Sequence, residues 1–363
     1  MITRRQIFQH PYRFELGDRI IQCMGTILLI LTYGLASAAT AAANPYLAKK
    51  GETPTKTRVA TCAISGGFMH LYTAVDHGLF SKYGLQVEFI SISGSGTSLA
   101  ALSAGEIDFL YCAGEATIPG LASGIEAKLV AAPLIGIPWV VLARKDIKRP
   151  EDLKGSTIGI NTPGRLIDRL AKDFIKRFNL ANDVGIRPVG GRGQLEPYNA
   201  MKADIVQAAL VTPPLEVRGQ REGFNVIFDF RTLKASSVYS ALQAPAKIIR
   251  ERPGLVQRFV AGMAESVYFA ENNPDKAKSS ISKALRLTDD VALKSAYDTY
   301  ARSIVNRSLI IPRDAVAEGL ENARAIGVNV KKKPDELFDN TFALDLEKSG
   351  FLKELWGTSP KVK

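Results

Sequence analysis

The chain has 363 residues, of which 46% are hydrophobic and 23% are charged, and its formal net charge is +11. These fractions are those of an ordinary globular protein, so they exclude an intrinsically disordered chain and a polytopic membrane protein. Three cysteines and three histidines are too few for a disulfide framework or a histidine-rich metal site. The length predicts two domains or lobes rather than one core.

The first 43 residues are predicted to be a signal peptide. Arg4 and Arg5 begin a basic segment, residues 27–31 are the centre of an apolar core, and residues 36–43 are small. This order of segments is typical of an export signal, here cleaved near Ala43. The alternative is an uncleaved anchor, but the strongly apolar core has only about nine residues, whereas ~20 are needed to span a bilayer. We therefore expect an exported, soluble protein of the periplasm.

Basic charge remains after the predicted cleavage. Residues 1–43 carry four arginines and two acidic residues, so the remaining chain has a net charge of +9. That charge favours anionic ligands or an anionic lipid surface. The lysines and arginines are scattered, with no aromatic–basic repeat, so nucleic acid is not an expected partner.

An alternation of strands and helices begins after a predicted linker at residues 44–57. Residues 59–64, 86–92 and 107–113 are predicted strands, because each is a short apolar or alternating run bounded by turn residues. One predicted helix carries Leu71 and Tyr72 and stops near Gly78. A second is opened by residues 93–97 and ends at Ala104.

The same alternation restarts further along the chain. Strands are predicted at residues 156–160, 186–189 and 205–211, and a helix over 165–178. Residues 139–143 and 238–244 are the predicted strands that cross between the two units. The sequence therefore predicts a discontinuous first lobe, 58–143 plus 238–363 with C-terminal helices, and a second lobe, 144–237.

Loops rich in glycine and hydroxyl groups follow the predicted strands of both lobes. In open α/β sheets ligands bind at the carboxyl ends of the strands, where helix N-termini offer N–H donors to an anion. Phe68 and Trp139 are candidates for stacking on a ligand, and Arg165 and Arg192 for pairing with a carboxylate or sulfonate. The alternative is that the aromatic residues pack in the core and that the arginines lie on the surface.

Two further motifs have chemical interpretations. Residues 94–99 (GSGTSL) are similar to a dinucleotide-binding turn, but a leucine stands in place of the third glycine, which favours a tight strand-to-helix turn. Cys112 lies in an apolar run, where a thiol is usually a small buried residue rather than a nucleophile. Cys62 falls in a strand that could be its neighbour, so a disulfide is the less favoured alternative to two free thiols.

A series of motifs resembles one family. Residues 78–88 read GLFSKYGLQVE, residues 93–96 read SGSG ahead of AALSAGEIDF, and residues 152–155 read DLKG. Their order and spacing over about 58–350 resemble the solute-binding proteins of the nitrate/sulfonate/taurine type (the SsuA/THI5-like or NMT1-like domain). This group includes binders of thiamine pyrimidine precursors.

The resemblance implies a type II periplasmic-binding-protein fold, in which two α/β lobes joined by a two-segment hinge close on a small solute. It implies delivery to an ABC transporter permease in the inner membrane, by a monomer that is not an enzyme and has no cofactor or metal. The candidate ligand-binding residues are Ser65, Gly66, Gly67, Phe68, His70, Ser93, Gly94, Ser95, Gly96, Thr97, Gly114, Glu115, Trp139, Thr162, Gly164, Arg165, Arg192 and Thr212.

The class of solute stays open at this point. Net charge and helix N-termini favour a small organic anion, such as a sulfonate, a taurine-like molecule or a carboxylate. Glu115 and the aromatic residues leave a thiamine pyrimidine precursor or another heteroaromatic molecule as the alternative. A pyrimidine-synthase-like enzyme on the same fold is less expected, because the chain lacks a cysteine cluster.

Overall fold

The computed structural model describes residues 44–164, 166–191, 193–233 and 236–361. The predicted signal peptide lies outside these residues, as do Arg165 and Arg192. In the described part of the chain no helix is long and apolar enough to cross a membrane. Two five-stranded sheets form its framework.

The first sheet has the strand order β2-β1-β3-β10-β4. Its strands are β1 Thr55–Thr61, β2 Leu85–Ser91, β3 Phe109–Cys112, β4 Ala127–Ile135 and β10 Val238–Pro245. β1 runs parallel to β2 and β3, whereas β10 runs antiparallel to β3 and β4. Every residue of β3 is buried, as expected of a central strand covered on both faces.

The second sheet has the order β7-β6-β8-β5-β9. Its strands are β5 Val140–Ala143, β6 Thr157–Ile160, β7 Gly185–Pro188, β8 Ala208–Val211 and β9 Asn225–Asp229. β6 is parallel to β7 and β8, and β5 is antiparallel to β8 and β9. Separate apolar clusters cover the two faces of this sheet.

Helices surround both sheets. Those of the described residues are α1 Met69–Asp76, α2 Ser95–Ala104, α3 Gly114–Ser123, α4 Leu166–Arg177, α5 Leu195–Lys202, α6 Leu215–Arg221, α7 Ala246–Glu251, α8 Pro253–Asn272, α9 Pro274–Leu285, α10 Asp290–Tyr297, α11 Arg313–Ala325, α12 Thr341–Lys348 and α13 Phe351–Trp356. In α4 the buried residues Leu170 and Phe174 recur at a spacing of four, which places them on one face. A π-helical turn, Asp298–Ser303, extends α10.

The chain crosses between the sheets twice, after β4 and again after β9, which confirms the predicted two-lobe fold with a two-segment hinge. The crossings pair with each other: the Gly136 N–H donates to Ser237 O at 2.8 Å and the Phe230 N–H to Trp139 O at 2.9 Å. Val140–Ala143 pairs only within the second sheet, whereas the predicted boundary falls after residue 143. This apolar segment is a central strand of the second sheet and does not cross between the lobes.

The segment predicted as a linker is partly structured. β1 begins at Thr55, four residues before the predicted start, and pairs there with Leu85. Tyr46 is 4% exposed, and its hydroxyl donates to the Asp345 carboxylate at 2.9 Å. The first part of β1 is polar and gives no apolar pattern, so the sequence did not predict it as a strand.

A disulfide joins Cys62 and Cys112, which are 50 residues apart in sequence. The preference for two free thiols is therefore wrong. The two cysteines lie at the carboxyl ends of the neighbouring strands β1 and β3, with Cα atoms 5.4 Å apart, a separation that suits a disulfide. Sequence alone could not establish that these strands are adjacent.

Candidate functional site

The loop after β1 begins a helical turn at the edge of the first sheet. Ser65 precedes the single turn Gly66–Phe68, which leads directly into α1. The Ser65 Oγ accepts from the Gly67 N–H at 3.2 Å, the Phe68 N–H donates to Ser65 O at 3.1 Å, and the Ser65 N–H donates to the Tyr72 hydroxyl at 3.3 Å. Three N–H groups of this predicted ligand loop thus have partners within the first lobe.

Two tyrosine rings lie on the backbone of this turn. A Cβ added to Gly66 would come within 2.8 Å of Tyr300 Cε2, and one added to Gly67 within 2.6 Å of Tyr239 Cε1. The rings stack on each other, with centroids 5.8 Å apart and planes 11° apart. The glycines are therefore needed here because they admit the rings.

The tyrosines also reach the second lobe. The Tyr300 hydroxyl donates to Pro213 O at 2.9 Å, and Pro213 lies in the loop after β8. Thr212, in the same loop, is 3% exposed, and its N–H donates to Gln194 Oε1 at 2.6 Å. Burial raises the pKa of Tyr300 well above its ordinary value, so its hydroxyl stays protonated and can donate.

A second contact between the lobes is ionic. Arg169, on α4, donates to both carboxylate oxygens of Glu115 at 2.9 Å and to Glu318 Oε1 at 2.5 Å. Glu115 lies in the first turn of α3 and also accepts from the Ser237 hydroxyl at 2.5 Å. Burial lowers the pKa of Arg169, but the two carboxylates outweigh it and hold the pKa above its ordinary value. Glu115, predicted as a ligand contact, is thus engaged by Arg169.

Two predicted site residues are buried in the first lobe. Phe68 is 4% exposed and packs edge-on against Tyr111, with ring centroids 5.5 Å apart. His70 is fully buried, and neither ring nitrogen has a hydrogen-bond partner in the described part of the chain. Burial lowers the pKa of His70 to about 3, so the ring is neutral. Both side chains are thus buried in this arrangement of the two lobes, and their contact with a ligand stays a prediction.

The remaining predicted residues of both lobes differ in their exposure. Ser93, Gly96, Thr97, Thr162 and Gly164 are exposed, and Gly94, Ser95 and Trp139 are half-buried. Gly114 is buried beneath a neighbour: a Cβ there would lie 2.5 Å from Val238 Cγ1. Trp139 lies at the first crossing, and its buried indole N–H has no partner among the described residues.

Sequence reasoning missed Tyr239, Tyr300 and Arg169. Tyr239 lies in the predicted crossing strand 238–244 and could have been weighed beside Trp139. Tyr300 lies in a helical segment far from any site motif, and Arg169 lies one turn beyond the predicted loop at Thr162–Arg165, where Arg165 was chosen instead. In the described part of the chain no group of three or more histidine, cysteine or acidic residues could hold a metal ion.

Comparisons with known proteins agree with this architecture. A Brucella abortus protein, named provisionally as a binding protein, is 28% identical over 256 residues, which are 68% of this chain and 76% of that protein. The crystal structure of the periplasmic aliphatic sulphonate binding protein SsuA from Escherichia coli aligns with a TM-score of 0.65 at 17% identity, covering 79% of this chain and 93% of that one.

A cysteine-to-serine variant of DszB in complex with biphenyl-2-sulfinic acid aligns with a TM-score of 0.58 at 18% identity, covering 81% of this chain and 99% of that one. At such identities these structures establish the fold alone. The sequence model of the NMT1/THI5-like family matches residues 66–277, which is more than half of the chain. The protein therefore belongs to the NMT1/THI5-like family.

Proposed function

We propose that this protein is the periplasmic solute-binding component of an ABC importer and captures a small organic anion, such as a sulfonate, a taurine-like molecule or a carboxylate, between its lobes. The observation that carries the proposal is the contact between the lobes at the strand-end loop after β8, where Tyr300 of the first lobe donates to Pro213 of the second. Solute-binding proteins work by such closure of two lobes around a ligand.

Charge supports an anion as the solute. The chain without residues 1–43 carries a net charge of +9, which attracts anions over a distance. Tyrosine and threonine hydroxyls at the lobe contact are neutral donors that can bind oxygen atoms of a carboxylate or sulfonate. Arg165 and Arg192 remain the proposed basic contacts.

One observation favours a heteroaromatic molecule, such as a thiamine pyrimidine precursor, as a second ligand class. The parallel rings of Tyr239 and Tyr300 form a stack that a planar ligand could extend, and Glu115 and Glu216 supply carboxylates near the lobe contact. Burial raises the pKa of Glu216, so this carboxyl can hold a proton more readily than an exposed one.

Catalysis is not part of the proposal. Cys62 and Cys112 are joined in a disulfide, and a thiolate, not a disulfide sulfur, is the nucleophile in cysteine catalysis. His70 is fully buried in the first lobe. In the proposed role the solute is released unchanged to a membrane permease.

The test is a thermal-shift screen of the exported, processed protein against sulfonates, carboxylates, nitrate, pyrimidines and NAD. A solute that binds only the folded protein adds ~2.7 kcal/mol to the free energy of unfolding at a hundred times its dissociation constant. We expect a rise in Tm with one small anion and none with NAD. A rise with pyrimidines alone would select the second class, and no rise with any small solute would refute the proposal.

A further inference from the structure

The turn that begins at Ser65 is covered by aromatic rings rather than open to a ligand. Its Ser65, Gly67 and Phe68 N–H groups are bonded within the first lobe. Tyr239 and Tyr300 lie against the backbone of the turn. A Cβ added to Gly67 would lie 2.6 Å from the Tyr239 ring, and one added to Gly66 would lie 2.8 Å from the Tyr300 ring. The rings therefore cover the backbone at these two glycines.

The two hydroxyls of the pair have different partners. Tyr300 commits its proton to Pro213 O at 2.9 Å. The Tyr239 and Tyr300 oxygens are 3.5 Å apart, which exceeds the 2.5–3.0 Å of a good O–H···O hydrogen bond. The bond between the two hydroxyls is therefore weak, and an acceptor with better geometry could take the proton of Tyr239.

The surroundings of Tyr239 belong to both lobes. Burial raises its pKa, while the hydroxyls of Tyr300, Thr212 and Ser65 oppose that rise. Ser65 lies after β1 of the first lobe, and Thr212 lies after β8 of the second. The Tyr239 hydroxyl lies 3.5 Å from the Tyr300 hydroxyl, which bonds to Pro213 O of the second lobe, so groups of both lobes meet beside it.

Tyr300 is held in place by its surroundings. It is fully buried and belongs to the π-helical turn Asp298–Ser303, a rare form that is frequent at functional sites. Arg231, which follows β9, donates to the neighbouring Thr299 hydroxyl at 2.7 Å. The turn is thus fixed to the second lobe at two points, Pro213 and Arg231.

We propose that Tyr239 and Tyr300 form a bridge that selects the solute: Tyr239 donates its hydroxyl to an acceptor oxygen of the ligand, and Tyr300 is the positioning residue that holds the second lobe over it. This inference rests on the proposed solute-binding function. It differs from the sequence interpretation, because the first lobe contacts the ligand through a phenol and not through the N–H groups of the turn at Ser65.

The experiment compares three tyrosine-to-phenylalanine variants of the exported protein. Tyr239→Phe removes the available donor, and Tyr300→Phe removes the bond to Pro213. Tyr297→Phe is the matched control, because its hydroxyl donates to Ala270 O and Glu271 O at 3.1 Å within the first lobe. Small-angle scattering without ligand measures lobe closure, and calorimetry with ethanesulfonate measures affinity.

We expect Tyr239→Phe to weaken ethanesulfonate binding about tenfold, as for a lost hydrogen bond to a charged group, with unchanged scattering. Tyr300→Phe should raise the radius of gyration and weaken binding about fivefold, as for a lost neutral hydrogen bond. The control should alter neither quantity. Wild-type affinity in Tyr239→Phe, or wild-type scattering in Tyr300→Phe, would overturn the bridge.

Failure of wild-type protein to bind ethanesulfonate would count against the proposed solute class and not against the positioning residue. The scattering comparison needs no ligand, so Tyr300→Phe still decides whether the bond to Pro213 holds the lobes together. The affinity comparison for Tyr239→Phe is then made with 4-amino-2-methylpyrimidine, whose ring nitrogens are acceptors. Equal binding of that probe by wild type and variant would likewise overturn the role of Tyr239.

Discussion

Replacing Arg169 with glutamine should open the cleft. The wild-type guanidinium holds Glu115, whose side chain is 15% exposed, and Glu318, whose side chain is 52% exposed. Hydrogen bonds to charged groups contribute ~1.5–3 kcal/mol when shielded from water, whereas an ion pair as exposed as that to Glu318 contributes at most ~1 kcal/mol. Since both carboxylates lie on the first lobe and Arg169 on the second, these contributions favour the closed arrangement.

A loss of about 2 kcal/mol from the closed state corresponds to about a 30-fold change in the ratio of closed to open protein. Ligand affinity falls by up to the same factor, because only the closed arrangement surrounds the solute. Calorimetry with the best solute of the thermal screen measures the change. Titrations at low and high salt should show the variant and wild type converging, since salt screens partly exposed charges.

Arg313→Gln is the matched control. Arg313 donates to Asp335 at 2.8 Å, both side chains are exposed, and both lie on the first lobe. Losing this pair should leave affinity within twofold. Glu318→Gln should fall between the two, because it removes only the more exposed partner of Arg169. If Arg169→Gln binds its solute like wild type at every salt concentration, the ionic contact has no part in closure.

Two further predictions concern stability, each measured by urea denaturation. Gly114→Ala should lower the free energy of unfolding by ~1–3 kcal/mol, because the new Cβ would overlap Val238. Gly96→Ala is the control: a Cβ there has nothing within 4 Å, so the free energy of unfolding should stay unchanged or rise by up to ~1 kcal/mol. Equal effects of the two substitutions would contradict the packing argument. Burial lowers the pKa of His70 from its usual 6.5 to about 3. Below about pH 6.5 the unfolded chain therefore binds a proton that the folded protein does not. The free energy of unfolding then falls by up to ~1.4 kcal/mol for each pH unit below that point. His70→Leu should remove this slope between pH 6.5 and 3 and His77→Leu should keep it, and an unchanged slope in His70→Leu would refute the assignment.

The sequence predicted the fold well because its determinants are local. Apolar runs such as residues 156–160 and 205–211 give strands at 157–160 and 208–211, and turn residues mark where they end. The boundary near Val140 was missed because apolar content does not say which sheet a strand joins. Strand pairing depends on contacts between residues distant in sequence.

The candidate site was predicted less completely, for a related reason. Its loops follow from strand ends, so Ser65 and Thr212 could be found by position. Tyr300 stacks on a turn more than 200 residues away in sequence, and Arg169 pairs with acids on two separate helices. Long-range partners of this kind have no sequence spacing that predicts them.

Because of the disulfide between Cys62 and Cys112, the stability of a sample depends on how the protein was produced. Closing a loop of 50 residues removes unfolded-state entropy worth about 4 kcal/mol near room temperature. Cytosolic thiols keep such cysteines reduced, whereas an oxidising compartment allows the bond to form. Protein purified from the cytosol and protein recovered after export would therefore differ in melting temperature with identical sequences. A thermal shift assigned to a solute is comparable between laboratories only when the redox state of this one bond has been matched.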